Sequence, residues 1–380
     1  MRIAITATTV WSENSYRNAG ISRFGFNLVD RLLRAHPEDV FTVFTHTEFE
    51  PPNAWLAQEN VTIVKACEPV RGSKAIWETF GTGRLSRKGQ FDVWLSTHHA
   101  TPWNSGVPDL AMIHDMIPLV SPEFGEGLQT AYLKFALKNV AKRATHLLTN
   151  SETSKEDIVK FARVDPAKIT VIPLGPGSRV AAVGPEDAPC KLLEQIPFQR
   201  FLFGLGTLEP RKNLPNLFRA LSILHRKPEF QDVGLVLAGG RGWKEEGIFD
   251  ELRRLGIEEN VVFLGYVPDE WLPFLFALSR AFVFPSLLEG FGMPILEAMI
   301  AGAPVIASGV GAMREVGGDA PAYFDPHNPE DICETIVGVL TGRFGSRLQM
   351  AARGLERSRT FTWESAAQMT YDVLAGLALS

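Results

Sequence analysis

Pro285-Ser286-Leu287-Leu288-Glu289-Gly290-Phe291-Gly292-Met293-Pro294-Ile295-Leu296-Glu297-Ala298-Met299 follows directly on the apolar run Ala281 to Phe284. The run has the length and character of a buried strand, and Pro285-Ser286 ends it. Gly290 and Gly292 permit close approach of the backbone to a ligand. Pro294 suits the opening of a helix, where its missing N–H costs nothing. Glu289 is therefore expected in a loop at a strand's carboxyl end, and Glu297 in the first turns of the helix that follows. Open α/β sheets bind ligands there, and a helix N-terminus offers free N–H groups to an anion. An ordinary strand–loop–helix with an acidic turn that complements the helix dipole would read similarly.

The same alternation extends in both directions. Met1–Ala7, Val40–Phe44, Val61–Val64, Val93–Leu95, Leu110–Ile113 and His146–Thr149 read as strands, with helices near Phe24–Ala35, Gly127–Arg143 and Ser154–Ala162. The pattern dissolves after Ile169–Gly175, and the stretch to Pro197 is rich in Gly and Pro. A second series then begins: strands at Phe201–Leu205, Gly234–Ala238, Val261–Leu264, Ala281–Phe284 and Pro304–Ala307, helices near Leu214–Lys227, Ile248–Gly256, Trp271–Leu278, Met293–Ala301 and Pro329–Thr341. Two βα series predict an α/β protein of two doubly wound, Rossmann-like domains with an interdomain cleft. The boundaries expected are residues 1–180, a linker at 181–197, and residues 198–361.

The 380 residues suit two such domains, and 45% hydrophobic content is enough for two cores. A formal net charge of −5 argues against a nucleic-acid partner. Cys67, Cys190 and Cys333 are widely separated and show neither a disulfide framework nor zinc spacing. The first apolar run is short for a signal peptide, and no uninterrupted run approaches the roughly 18 residues of a membrane span. A cytoplasmic protein is the expectation, with attachment to a membrane surface left open.

Three further segments carry chemistry at strand ends. Gly206-Thr207-Leu208-Glu209-Pro210-Arg211-Lys212-Asn213 places two adjacent cations at a strand–helix junction. Arg offers a planar fork to phosphate oxygens and Lys a mobile point charge. Cations at a helix start oppose the macrodipole, so a purely structural role is poorly motivated. His114-Asp115 follows the strand Leu110–Ile113, and Ala19-Gly20-Ile21-Ser22 follows the long loop after the first strand. Gly204-Leu205-Gly206 half matches a dinucleotide fingerprint, but Glu209 stands at the third glycine position and Pro210 follows, which breaks the helix–strand packing that a dehydrogenase needs. Glu289 and Glu297 could be the acid/base pair of a glycosidase. A hydrolase, however, has no evident use for the Arg-Lys loop.

The segment from Pro285 to Met299, together with the Arg-Lys loop and the His-Asp segment in the same order, resembles the retaining glycosyltransferases of family 4, which have the GT-B fold. The resemblance runs from the first strand to the last helix and is nearest to bacterial polysaccharide mannosyltransferases. It implies a hexosyltransferase using a nucleoside diphosphate sugar, GDP-mannose first and UDP- or dTDP-sugars as alternatives. Neither a metal nor another cofactor is implied. Arg211, Lys212 and Gly20 would then meet the donor diphosphate, Glu289 and His114 the transferred sugar and reaction centre, and Glu297 the ribose hydroxyls. Backbone N–H groups from Gly290, Phe291, Gly292 and Met293 would reach sugar or phosphate, and Tyr266 and Val267 would line the nucleobase pocket. The family usually has two glycines near Gly20; here none follows until Gly25. Eight residues of helix between Glu289 and Glu297 would rise about 12 Å, comparable to the span from sugar to ribose. The resemblance also implies that the final helix, 362–380, packs back on the first domain. Front-side attack, with the leaving phosphate taking the acceptor proton, is the implied mechanism, because no carboxylate nucleophile is evident in the first domain. A sugar-nucleotide epimerase and a non-catalytic binding module share the fold as alternatives.

The acceptor side is marked by charge. Lys134, Lys138 and Lys142 recur on one helix, and Arg71, Lys74, Arg84, Arg87 and Lys88 are interleaved with Ile76, Trp77 and Phe80. Solvated faces explain most such stripes. Family members acting on lipid-linked saccharides meet anionic membranes this way, so the resemblance implies a saccharide or polyprenyl-diphosphate-linked acceptor at the inner membrane surface.

Overall fold

The computed structural model describes residues 1–11, 20–67, 77–88, 90–121, 127–177, 180–242 and 245–379. Arg71, Lys74, Ile76, Ala19 and the loop from Ser12 to Asn18 lie outside the described residues.

The chain divides into two units, Met1–Gly177 with Phe361–Ser380, and Ser178–Thr360. The segment 181–197, read from sequence as a linker, groups with the second unit.

Among the described residues the first unit is built on seven parallel strands: β1 Arg2–Thr6, β2 Val40–His46, β3 Val61–Cys67, β4 Val93–Ser96, β5 Asp109–Met112, β6 His146–Thr149 and β7 Ile169–Val171. They lie in the order β3-β2-β1-β4-β5-β6-β7. The second unit has six: β8 Arg200–Leu205, β9 Val233–Ala238, β10 Val261–Gly265, β11 Ala281–Phe284, β12 Val305–Ser308 and β13 Ala322–Phe324, in the order β10-β9-β8-β11-β12-β13. Every pairing is parallel. Strands covered by helices on both faces read as continuous apolar runs rather than alternations. Ile3, Ala4 and Ile5 of β1, and Ala281, Phe282 and Val283 of β11, accordingly have no exposed surface.

In each sheet the chain order reverses once, between β1 and β4 and between β8 and β11. These two crevices, outside the carboxyl ends of the strands, are where such sheets take ligands.

The last helix, Trp363–Ala378, belongs to the first unit and packs on helix Ile21–Ala35. Thr362 caps it by accepting from Ser365 N at 3.1 Å. Trp363 Nε1 donates to Pro176 O at 2.8 Å, and the Tyr371 ring stacks on His36 at 3.4 Å.

The sequence reading omits β13, helix Gly311–Gly317, helix Arg347–Ser358 and the turn Trp77–Gly81 with the short helix Thr82–Ser86 after it. β13 is a three-residue edge strand, Ala-Tyr-Phe, too short to show periodicity. Helix Arg347–Ser358 is polar on most of its surface but opens with a full capping box from Ser346 and Gln349, a signal that the sequence does carry.

Candidate active site

The crevice between β8 and β11 collects the second unit's polar groups. Gly206, just past β8, has φ +149, and a Cβ there would stand 3.0 Å from Lys212 Cε. The backbone angle favours glycine, and the lysine stem laid against it leaves a Cβ little room. Pro210–Lys212 forms a tight turn, and Asn213 follows in the left-handed region at φ +57. Its Nδ2 donates to Pro285 O at 3.1 Å and to Pro326 O at 2.7 Å. Leu287 N donates to Arg211 O at 2.8 Å. The cationic turn is therefore stapled to the end of β11. Asn213 was not among the residues singled out from sequence, although an Asn tolerates this conformation better than most residues and stands directly before a Leu-Pro helix start.

The staple brings Glu289 onto both cations. Its carboxylate accepts from Arg211 Nη1 at 2.5 Å and from Lys212 Nζ at 2.6 Å. Arg211 also pairs with Glu209 at 2.5 Å. The four side chains keep only 12–20% of their surface exposed. Burial pushes the Glu289 carboxyl up, but Lys212 and Arg211 together outweigh it and hold the group below its ordinary value. Lys212 Nζ lies 4.9 Å from the centre of the Phe284 ring. A small pocket, lined among others by Gly206, Lys212, Phe284 and Ser286, opens beside the cluster. Sequence reasoning set Glu289 apart from the cations; the structure makes them one cluster, two positive and two negative.

Helix Met293–Ile300 begins after Gly292, whose φ is +109. Only Met293 to Glu297 of the interval between the two glutamates is helical, a rise of about 6 Å rather than the 12 Å that a continuous helix would give. Loop Gly290–Gly292 covers the rest. Glu297 is 5% exposed and Phe291 is also buried. After β10, Tyr266 is 60% exposed while Val267 is buried, so the two do not present one surface.

In the first unit His114 follows β5. Its Nε2 lies 3.2 Å from Thr97 O, and Phe24 meets the ring edge-on at 4.7 Å. Burial, with His99 and His98 nearby, lowers its pKa to about 3. The ring is therefore neutral at neutral pH. A carbonyl only accepts, so the proton is on Nε2 and Nδ1 is a hydrogen-bond acceptor. Gly20 is exposed, has φ +51, and opens helix Ile21–Ala35; a Cβ there would meet nothing within 4 Å. Ser22 Oγ accepts from Trp11 N at 2.8 Å, which ties the chain that leaves β1 to the helix.

Sequence reading found no carboxylate in this unit suited to a reaction centre. Among the carboxylates that the structure buries there, Glu78 accepts from Thr8 Oγ1, and its Oε1 lies 2.9 Å from His98 Nε2. The signal available was a single acidic residue among the aromatics Trp77 and Phe80.

Residues 19–175 match the family described as Glycosyltransferase Family 4, and residues 195–357 that described as Glycosyl transferases group 1. O-antigen chain mannosyltransferase B of Escherichia coli is 33% identical over 258 residues, which cover 68% of this chain and 67% of that protein. The serotype-specific mannosyltransferase WbdA of Escherichia coli is 28% identical over 278 residues, 71% of this chain; the match spans only 33% of WbdA. Among solved structures, Anabaena HepE in complex with UDP and glucose superposes with a TM-score of 0.71 at 20% identity, covering 99% of this chain and 100% of that one. WaaG, a glycosyltransferase of lipopolysaccharide biosynthesis, gives 0.70 at 17%, covering 98% and 100%. With two parallel sheets, a cationic turn at the switch point of the second and this relative matched over two thirds of both chains, the protein belongs to the family 4 glycosyltransferases and has the GT-B fold.

Proposed function

We propose that the protein transfers an α-mannosyl unit from GDP-mannose to a saccharide acceptor in polysaccharide synthesis, with retention of configuration and without a metal or other cofactor. The observation that carries the mannosyl unit is the similarity to O-antigen chain mannosyltransferase B. Arg211 and Lys212 carry the metal-free reading, because two converging cations can stabilise a departing diphosphate themselves. His114 accepts a hydroxyl of the transferred sugar at Nδ1, Glu297 the ribose hydroxyls, and the leaving phosphate takes the acceptor proton in a front-side attack. A thermal-shift panel of GDP-, UDP-, ADP- and dTDP-sugars is the first test, since the tightest ligand raises the melting temperature most. GDP-mannose is expected to give the largest shift. Transfer is expected to survive excess EDTA and to form an α-linkage by NMR. A larger shift with another nucleotide would move the donor, and activity lost to EDTA and restored by Mn²⁺ or Mg²⁺ would end the metal-free reading.

The acceptor proposed is lipid-linked and met at the inner surface of a membrane. No helix among the described residues is long and apolar enough to cross a membrane. On helix Gly127–Arg143, Tyr132 and Phe135 are 55% and 65% exposed and share the open face with Lys138 and Lys142, while Lys134 is half-buried. Phe80 and Trp103 are exposed 5.8 Å apart, with Arg143 over the Trp103 ring at 4.3 Å. Arg84, Arg87 and Lys88 are exposed nearby in sequence. Aromatic rings mixed with cations suit the headgroup layer, where each Lys or Arg adds about 1 kcal/mol within a Debye length. Sedimentation with anionic vesicles at low salt, lost at high salt or with neutral vesicles, is the expected result. Indifference to anionic vesicles at low salt would favour a soluble acceptor.

A further inference from the structure

The crevice between β1 and β4 holds a buried polar relay. β1 and β4 are paired, Thr6 opposite Ser96. Thr97 follows β4, and both its N and its Oγ1 donate to Thr6 O at 3.1 Å. The next residue, His98, is buried and places Nε2 2.9 Å from Glu78 Oε1. Glu78 arrives on Trp77–Gly81, a single π-helical turn, a conformation concentrated at functional sites. The turn is itself fixed: Thr82 Oγ1 donates to Glu78 O at 2.6 Å and Trp103 N to Thr79 O at 2.7 Å. Thr8, two residues beyond β1, donates to the same carboxylate.

A carboxylate with 9% exposure is a costly way to fill space, since an apolar residue of similar volume packs without desolvating a charge. What it supplies is a fixed acceptor for His98. The other ring nitrogen, Nδ1, is buried with no hydrogen-bond partner among the described residues, so the hydrogen bond that orients the His98 ring there comes from its Glu78 side. The segment is thus pinned at Thr97 by β1 and at His98 by Glu78. Between these two anchors lies Thr97 O, the carbonyl that receives His114 Nε2–H.

We infer that Glu78 is a positioning residue for His114: through His98 it fixes the Thr97–His99 segment, whose Thr97 carbonyl holds His114 in the tautomer protonated on Nε2. This leaves Nδ1 free of a proton as the acceptor aimed at a sugar hydroxyl, and in that respect the inference rests on the function proposed above. Carboxylate–imidazole pairs fix ring orientation and tautomer in the same manner around metal ligands.

Histidine ¹H–¹⁵N spectra of the full chain test it without any substrate. The wild type is expected to show His114 as one neutral tautomer with its proton on Nε2. In Glu78→Leu, His114 becomes a mixture of tautomers; Glu78→Gln, which keeps an oxygen acceptor, restores the single form. In parallel, transfer from GDP-mannose at saturating donor is expected to lose tenfold or more in kcat in Glu78→Leu, with GDP affinity unchanged by calorimetry and with recovery to within about threefold in Glu78→Gln. Should Glu78→Leu fail to fold, His98→Leu breaks the same link one residue on. The same single His114 tautomer in the folded variant as in wild type would overturn the inference. Because the spectra need no donor, that outcome is distinct from GDP-mannose proving to be the wrong substrate.

Discussion

Lys212→Met is expected to cut kcat by roughly 10²–10³, about 2.7–4 kcal/mol of barrier, which is the cost of deleting one donor aimed at developing negative charge. Methionine keeps the stem that lies beside Gly206 and Phe284, so the loss reports charge rather than packing. Glu289 keeps Arg211 as its partner in the variant, so no buried carboxylate is stranded and the fold survives. Arg211→Ala should lose a similar factor, although it also releases Glu209. Initial transfer rates, with the melting temperature recorded beside them, decide the point. Unchanged rates in both variants would remove the diphosphate assignment.

The second large effect comes from the ion cluster. With Glu289 on both cations, a diphosphate must share Arg211 and Lys212 with a carboxylate already bound to them. Glu289→Gln raises the cluster from neutral to one net positive charge. At about 5 Å and an effective dielectric near 20, one charge is worth up to ~3 kcal/mol to an incoming anion, so nucleoside diphosphate should bind about tenfold tighter or better. Transfer should nonetheless fall by roughly 10² or more, because the group proposed to meet the reacting sugar has lost its charge. Glu297→Ala is the contrast: losing the charged hydrogen bonds proposed to the ribose, about 1.5–3 kcal/mol, should weaken the same nucleotide by roughly ten- to a hundredfold. Isothermal calorimetry of both variants with GDP separates the two glutamates, and equal weakening would show that they do not divide the donor between ribose and sugar.

The alternation of strands and helices, and with it the fold class, is legible in the amino-acid sequence. Strands that lie between two helical layers are apolar on both faces, so β1, β5, β8, β9 and β11 stand out as short, largely apolar runs followed by turn residues. Gly206 and Gly292 mark the turns because few other residues tolerate their backbone conformations, and Pro294 marks a helix start, where its missing N–H costs nothing. Local rules also placed Glu289 and the Arg211-Lys212 pair at strand ends. Edge strand β13 and the helices Gly311–Gly317 and Arg347–Ser358 were not legible to periodicity, being short or mostly polar.

Which of these residues touch was decided only by the tertiary structure. Lys212 and Glu289 are 77 positions apart, and they meet because β8 and β11 are neighbours across the point where strand order reverses, with Asn213 pinning one loop to the other. Glu78 and His98 sit on an irregular turn and a strand-end loop, with no periodicity to announce them, and Thr8 joins them from a distance of 70 residues in the chain. A sequence shows which groups stand at the ends of strands. Strand order, which is set by non-local packing of whole βα units, chooses which of those ends face one another and therefore which charges become a site.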